Sequence, residues 1–252
     1  MTSSQLCIQD NDLSRAWAQT FLEAMKPGRG EILPLVVTVT GFADGRPAET
    51  PAIRCALDDA LVKMGKFSCE TVASTIFPQS FWNPGESRDR LFERYGHILP
   101  RLRKMETRNR YGLYFERLVA FGSQKINQLD HIIQTYQGGN HRRSALQASI
   151  FDPSSDHTNQ RQRGFPCMQH VIFAPYGDHE LAITGFYPTQ HLFERAYGNY
   201  LGLCNLGRFV AHELGLHLTQ MTCVAGVAKI GNVNKGKLRD LLQQLEDIRQ
   251  ST

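Results

Sequence analysis

Gln190-His-Leu-Phe-Glu-Arg-Ala-Tyr-Gly-Asn-Tyr-Leu-Gly-Leu-Cys-Asn-Leu-Gly-Arg-Phe-Val-Ala-His-Glu-Leu-Gly-Leu216 is the stretch on which the fold turns. It has the length of a long helix and is apolar nearly all round, the pattern of a helix buried on every side. Gly198, Gly202 and Gly207 would let another backbone approach it closely. Residues 168–173 and 181–186, just before it, are short apolar runs separated by turns such as Tyr176-Gly-Asp178, and they read as core strands. A sheet packed on one buried central helix is the expectation.

Working outward, residues 143–151 read as a further strand. Residues 126–136 read as a helix ended by Gly138-Gly139, where glycine takes the left-handed cap. Prolines bracket residues 78–85, so this segment is expected to be an ordered loop holding Trp82. Residues 53–64 and 70–77 are apolar enough for buried helices, and residues 32–40 form a strand whose following Gly41-Phe-Ala-Asp-Gly-Arg-Pro47 turn suggests a hairpin. The first element expected is a helix over residues 13–25, with Ala16, Trp17, Phe21, Leu22 and Met25 on one face and Pro27-Gly-Arg-Gly30 as its stop. At the other end, residues 235–249 form an amphipathic helix with Leu238, Leu241, Leu242 and Leu245 inward.

The 252 residues are 41% hydrophobic, enough for one substantial core, and no long polar linker demands a second domain. The longest apolar run, residues 32–40, is too short to span a bilayer, and the polar N-terminus lacks the features of a secretory signal, so the chain reads as cytoplasmic with no membrane partner. Cys7, Cys55, Cys69, Cys167, Cys204 and Cys223 are dispersed, with no CxxC pair, which fits reduced thiols and no metal. The formal charge of +4 is mild. Basic residues cluster only at Arg101, Arg103, Lys104, Arg108 and Arg110, at Arg142-Arg143, and at Arg161 and Arg163, which favours a small anion over a long nucleic acid.

His212-Glu-Leu-Gly-Leu-His217 superficially has the look of a zinc-protease helix, but its histidines are five apart where the metal motif needs four. Five residues rotate a helical side chain by about 500 degrees, leaving the pair about 140 degrees apart. Arg163-Gly-Phe-Pro-Cys-Met-Gln-His170 places a cysteine at the start of a strand. Cysteine in such a setting is commonly a small buried hydrophobe, yet the preceding arginines would stabilise a thiolate and make Cys167 a nucleophile. Arg142-Arg143 is either a solvated strand end or a phosphate clamp, since guanidinium groups match phosphate oxygens in pairs. Asn199, an amide inside an apolar helix, must satisfy a donor and an acceptor, with backbone or with a ligand such as a pyrimidine edge.

Taken together, Glu70-Thr-Val-Ala, Tyr111-Gly-Leu-Tyr-Phe-Glu-Arg117, Asn127-Gln-Leu-Asp-His-Ile-Ile133, Arg142-Arg143 leading to Phe151-Asp-Pro153, Phe165-Pro-Cys-Met168 and Asn199 follow one another in an order that resembles the thymidylate synthase family. The resemblance covers residues 66–233 within a single domain of residues 1–252. Residues 1–65 are poorly matched, and residues 234–252 form the terminal helix. It implies an α/β (α+β) fold with a large mixed sheet, a long buried helix and a homodimer formed through the sheet face. It also implies folate-dependent C5 methylation or hydroxymethylation of a pyrimidine nucleotide, with 5,10-methylenetetrahydrofolate as cofactor, the two outcomes differing in whether hydride or water completes the transfer. Cys167 would add to C6 of the base, Glu70 would manage protons and water, Asn199 would read the base edge, and Trp82 would lie on the folate side. Tyr111 would line the nucleotide site, and Arg142 and Arg143 would reach the nucleotide phosphate in the partner subunit.

Departures accompany the matches. Aligned without gaps from Leu181, the Gln-Arg-Ser of the family falls on Tyr187-Pro-Thr189, so Pro188 replaces a phosphate arginine. The following family aspartate falls on His191, the His-x-Tyr that grips the ribose on Lys229-Ile-Gly231, and Met168 replaces a histidine. An arginine lost from a phosphate site forfeits roughly 1.5–3 kcal/mol. His191 or Lys229 would then supply charge to a differently placed group, which suits a modified pyrimidine nucleotide. A catalytically silent nucleotide-binding sensor on the same fold is the alternative, and an RNA-binding relative using the basic residues near 101–110 and 161–163 is a third reading.

Overall fold

A computed structural model describes residues 5–159 and 167–251. The elements run β1 (Leu6–Asp10), α1 (Leu13–Met25), β2 (Glu31–Ile32), β3 (Leu35–Val39), β4 (Phe42–Ala43), β5 (Arg46–Pro47), α2 (Pro51–Lys63), α3 (Cys69–Ile76), α4 (Arg88–Met105), α5 (Tyr114–Val119), α6 (Gln128–Gln137), β6 (Gln147–Ser149), α7 (Pro153–Asp156), β7 (His170–Tyr176), β8 (Glu180–His191), α8 (Tyr197–Leu214), β9 (His217–Lys229) and α9 (Arg239–Gln250). The mixed sheet has the order β1-β3-β9-β8-β7-β6, with β2 also on β9, while β4 and β5 make a separate two-stranded hairpin. β8 and β9 are parallel and joined through α8, whereas β7 and β6 add antiparallel.

Strand alternation gives this sheet two different faces. Leu35, Val37 and Val39, Val171 and Phe173, Leu181 and Ile183, and Met221, Cys223 and Ala225 are buried on the face toward α8. The opposite face aligns Ile172, Thr184, Thr222 and Thr38 in one row and His170, Phe186, Val224 and Val36 in the next. Ile172 and Phe186 on that face are each 40% exposed.

α8 fits between two surfaces because three of its positions carry no side chain. A methyl group on Gly198 would stand 2.5 Å from Cβ of Val72 and 2.7 Å from the Cys69 carbonyl oxygen, and one on Gly202 would stand 2.9 Å from the Ala73 oxygen. These glycines seat α3. On the sheet side a methyl group on Gly207 would meet Leu218 at 2.8 Å, and Gly185 of β8 accepts Leu203 of α8 in the same way. Positions 198 and 207 lie about 180 degrees apart on a helix, so α8 is pinched from opposite sides. Gly215, at φ 69°, ends the helix in the left-handed cap and turns the chain into β9.

Several expectations are corrected. β1, not a helix, comes first, pairing in parallel with β3 as a short edge strand. The Gly41–Pro47 turn closes β4 on β5, because β3 is already held between β1 and β9. Residues 143–151 supply only the three-residue β6, since Arg143–Ala145 forms a 3-10 turn. The long apolar stretch does not become helical at Gln190: Gln190 and His191 still pair with Ala228 and Lys229, and a wide π turn over Leu192–Ala196 precedes α8. β9 and α4 were not anticipated, although Leu218, Met221 and Cys223 of β9 and Leu91 and Tyr95 of α4 are buried. Lys235–Leu238 forms a 3-10 turn ahead of α9 rather than its first turn; Leu238 of that turn and Leu241 and Leu245 of α9 enter the core, while Leu242 is half-buried. Among the described residues no helix is long and apolar enough to cross a membrane.

Two glycine-to-alanine changes are expected to move stability in opposite directions. Gly198→Ala forces a clash with backbone and a β-branched side chain and should cost about 1–3 kcal/mol. Gly96→Ala in α4 meets nothing within 4 Å and should gain about 0.4–1 kcal/mol. Urea unfolding of both variants measures the pair.

Candidate active site at the start of the buried helix

Cys167 enters β7 from a loop, and its backbone is gripped from below by α5. The Tyr114 hydroxyl accepts the N–H of Cys167 at 2.8 Å and that of Met168 at 3.2 Å. Tyr114 stands on the first turn of a helix that is itself clamped. Arg117 donates to the carbonyls of Ile150 at 2.9 Å and Tyr111 at 2.6 Å, and it pairs with Asp156, whose side chain is 1% exposed. Asp156 also accepts the Asp152 N–H at 2.8 Å. Gln128 of α6 ties the Arg117 carbonyl to both backbone groups of Ser149.

The thiol meets opposing influences. Cys167 retains contact with solvent, yet the protein mass around its sulfur raises the thiol pKa, and the positive charge of Arg195 pulls it back down. Burial also raises the pKa of Tyr114, again with Arg195 opposing, so that hydroxyl stays protonated and keeps its proton to donate. Below lies Tyr187, fully buried, its hydroxyl without a hydrogen-bond partner among the described residues. Gln190 beneath it accepts from the Tyr200 hydroxyl at 3.1 Å and donates to the Cys223 sulfur at 3.4 Å.

The start of α8 brings further groups to this end. Arg195 projects half-buried from the π turn with its guanidinium 5.7 Å from the centre of the Phe67 ring. Asn199, one turn further on, is 4% exposed, and no hydrogen bond joins its side chain to another described residue. His191 and Lys229 are register partners at the ends of β8 and β9. Burial lowers the His191 pKa, and Lys229, Arg195 and Lys66 lower it further while Glu194 opposes, so the ring is neutral near pH 7. Glu194 is engaged elsewhere, by Lys66 at 3.0 Å and the Asn232 N–H at 3.4 Å.

Glu70 opens α3 at the same end of α8, since α3 packs its Cys69 and Val72 on Gly198. Its carboxylate is 62% exposed and lies 3.4 Å from Arg54, which also pairs with Glu49 and Asp58 and stands over the Tyr197 ring. The structure therefore sets His191 beside Lys229, Asn199 on the first turn of α8 and Glu70 on the turn of α3 that packs on it, with Cys167 within reach of the Arg195 charge. Trp82 is not among them. It is buried against Phe77, Phe209 and His212, and Phe209 lies about 18 Å along the helix from Tyr197 at the usual rise per residue. Arg142 and Arg143 are exposed beyond the end of β6 that pairs with Ile172, away from Cys167. Tyr111 lines a separate 370 Å³ cleft with Arg103, Arg117 and Asp152, and Tyr114 three residues later takes the position beside the cysteine.

Sequence reasoning missed Tyr114 and Arg195. The first stood in the quoted Tyr111–Arg117 segment, but only the fold shows which tyrosine faces the loop. Arg161 and Arg163, expected to favour the thiolate, lie outside the described residues, as do the side chains of Arg108 and Arg110. His212 and His217 fall on α8 and β9 on either side of Gly215, and among the described residues no group of three or more His, Cys, Asp or Glu side chains is placed to hold a metal ion. The chain matches no protein-family model and no curated protein.

Tyr114→Phe removes the acceptor of two backbone donors and should destabilise the protein by about 1–3 kcal/mol in urea. In the unaltered protein the raised thiol pKa means less thiolate at a given pH. Alkylation of Cys167, followed by peptide mass, should therefore reach half its limiting rate above the pH of about 8.5 at which an ordinary thiol does.

Proposed function

We propose that the chain is a pyrimidine-nucleotide C5 transferase of thymidylate synthase type, working by covalent catalysis through Cys167. The observation that carries this reading is that a solvent-contacting thiol and Asn199, whose side chain makes no hydrogen bond to a described residue, lie toward the same end of α8. An amide offers one donor and one acceptor, and a pyrimidine edge matches both. Thiolate addition to C6 would form the S–C6 bond and make C5 the nucleophile; C5 would bond the one-carbon unit as that carbon leaves its carrier, and loss of the C5 proton, addition of hydride or water to the new carbon and departure of the sulfur would restore the ring. Tyr114 fixes the backbone of the nucleophile, and Glu70, exposed at the same end, would take the proton lost from C5.

5,10-Methylenetetrahydrofolate would supply the one-carbon unit. Trp82 does not suit it, being sealed at the far end of α8, but the exposed ring of Phe67 and the carboxylate of Glu70 offer a flat, amine-bearing ring a face and a hydrogen-bond acceptor. A homodimer through the sheet face belongs to the same proposal. It is supported by Ile172 and Phe186, uncovered in adjacent rows of that face, and it would bring Arg142 and Arg143 of one subunit toward the site of the other.

Intact mass after incubation with 5-fluoropyrimidine nucleotides and methylenetetrahydrofolate tests the proposal. The unaltered protein is expected to gain the mass of nucleotide plus folate, and Cys167→Ser is expected to gain nothing. A folded, dimeric protein that binds nucleotide yet forms no adduct across the panel contradicts the transferase and leaves the catalytically silent binding protein.

A further inference from the structure

We propose that Arg195 is the oxyanion ligand of the Cys167 site and holds the phosphate of the nucleotide, taking over from the arginine that Pro188 displaces; this rests on the nucleotide reading above. Elsewhere, half-buried guanidinium groups are matched by carboxylates: Arg54 by Glu49 and Asp58, Arg88 by Asp130 and Glu213, Arg117 by Asp156. Arg195 has no hydrogen-bond or ion-pair partner among the described residues and only the Phe67 ring beneath it. Arg208 shares that condition over Trp82, but at the other end of α8. Five directed N–H donors held half out of water on a fixed plane are a costly arrangement unless an anion completes it, and a phosphate matches their fork.

The surroundings favour the same occupant. Glu194, the carboxylate next in sequence, is turned to Lys66 and the Asn232 N–H, so it does not neutralise Arg195. Lys66 is taken up by Glu194, whereas Lys229 at the end of β9 adds a second positive charge near His191, which itself stays neutral. The π turn is the structural cause: Leu192, Phe193 and Ala196 go into the core, and Arg195 is left facing outward on the side of Cys167. The effect of its charge on both Cys167 and Tyr114 agrees with that position.

The test is protection of Cys167 from iodoacetamide by inorganic phosphate and by uridine 5′-monophosphate, with uridine and equal ionic strength of potassium chloride as controls. It is run on the unaltered protein, Arg195→Ala and Arg195→Lys, with far-ultraviolet dichroism confirming the fold. Both phosphates should slow alkylation saturably in the unaltered protein. Arg195→Ala should raise the half-protecting concentration about tenfold or more, and Arg195→Lys should fall between. Equal protection in the unaltered protein and Arg195→Ala, or none by either phosphate in the unaltered protein, overturns the assignment; if Arg195→Ala does not fold, the same comparison with Arg195→Lys decides. No folate or transfer enters this experiment. Protection lost with Arg195 but no fluoropyrimidine adduct removes the transferase and keeps the anion site, whereas an adduct with protection unchanged in Arg195→Ala does the reverse.

Discussion

The close approach of α8 to its neighbours is the constraint on which the rest depends. With Gly198 and Gly202 against the backbone of α3, and Gly207 against Ile183 and Leu218 of the sheet, the helix has almost no freedom to slide or roll. Its first turn is thereby fixed relative to the ends of β8 and β9, and Arg195 and Asn199 inherit that precision. The π turn absorbs the mismatch between a strand that stays paired to His191 and a helix whose phase is set by the glycines. Wide turns of this kind recur where a helix is asked to present a particular side chain.

The backbone of Cys167 is positioned by a different device. A strand end would leave Cys167 free to wander, but Tyr114 holds two successive N–H groups, and α5 beneath it is anchored by the Arg117–Asp156 pair. Desolvating two charges is expensive, and a buried pair recovers the cost only when the remaining hydrogen-bonding capacity is used. Here Arg117 also serves the Ile150 and Tyr111 carbonyls, and Asp156 the Asp152 N–H. One side chain therefore joins three loops, which accounts for a charge pair where apolar packing would serve stability alone.

Much of the architecture was legible because burial writes itself into periodicity. The glycines and apolar content of residues 190–216 announced a buried helix, and the runs at 168–173 and 181–186 announced the strands beside it. What the pattern could not convey was where strand gives way to helix, since no capping residue or glycine marks the boundary and Leu192, Phe193 and Ala196 continue the buried positions of α8. β9 was hidden by its position just after the helix stop, and α4 by its charge and its internal Pro100. For the site, Cys167 and Asn199 were readable from residue type and order, whereas Tyr114 and Arg195 matter only through contacts across the fold. The resemblance led Trp82 to be expected on the folate side, yet its ring packs with Phe77 and Phe209 far from the thiol.

Central to the proposed chemistry is that Cys167 activates C5 of a pyrimidine nucleotide. Tritium release from C5-labelled uridine and deoxyuridine nucleotides, with methylenetetrahydrofolate present or absent, addresses it most directly, because replacing the C5 hydrogen by a one-carbon unit must put that hydrogen into water. Folate-dependent release by the unaltered protein, and none by Cys167→Ser, is the expected result. Release that persists in Cys167→Ser, or no release of label from any bound nucleotide, would contradict it.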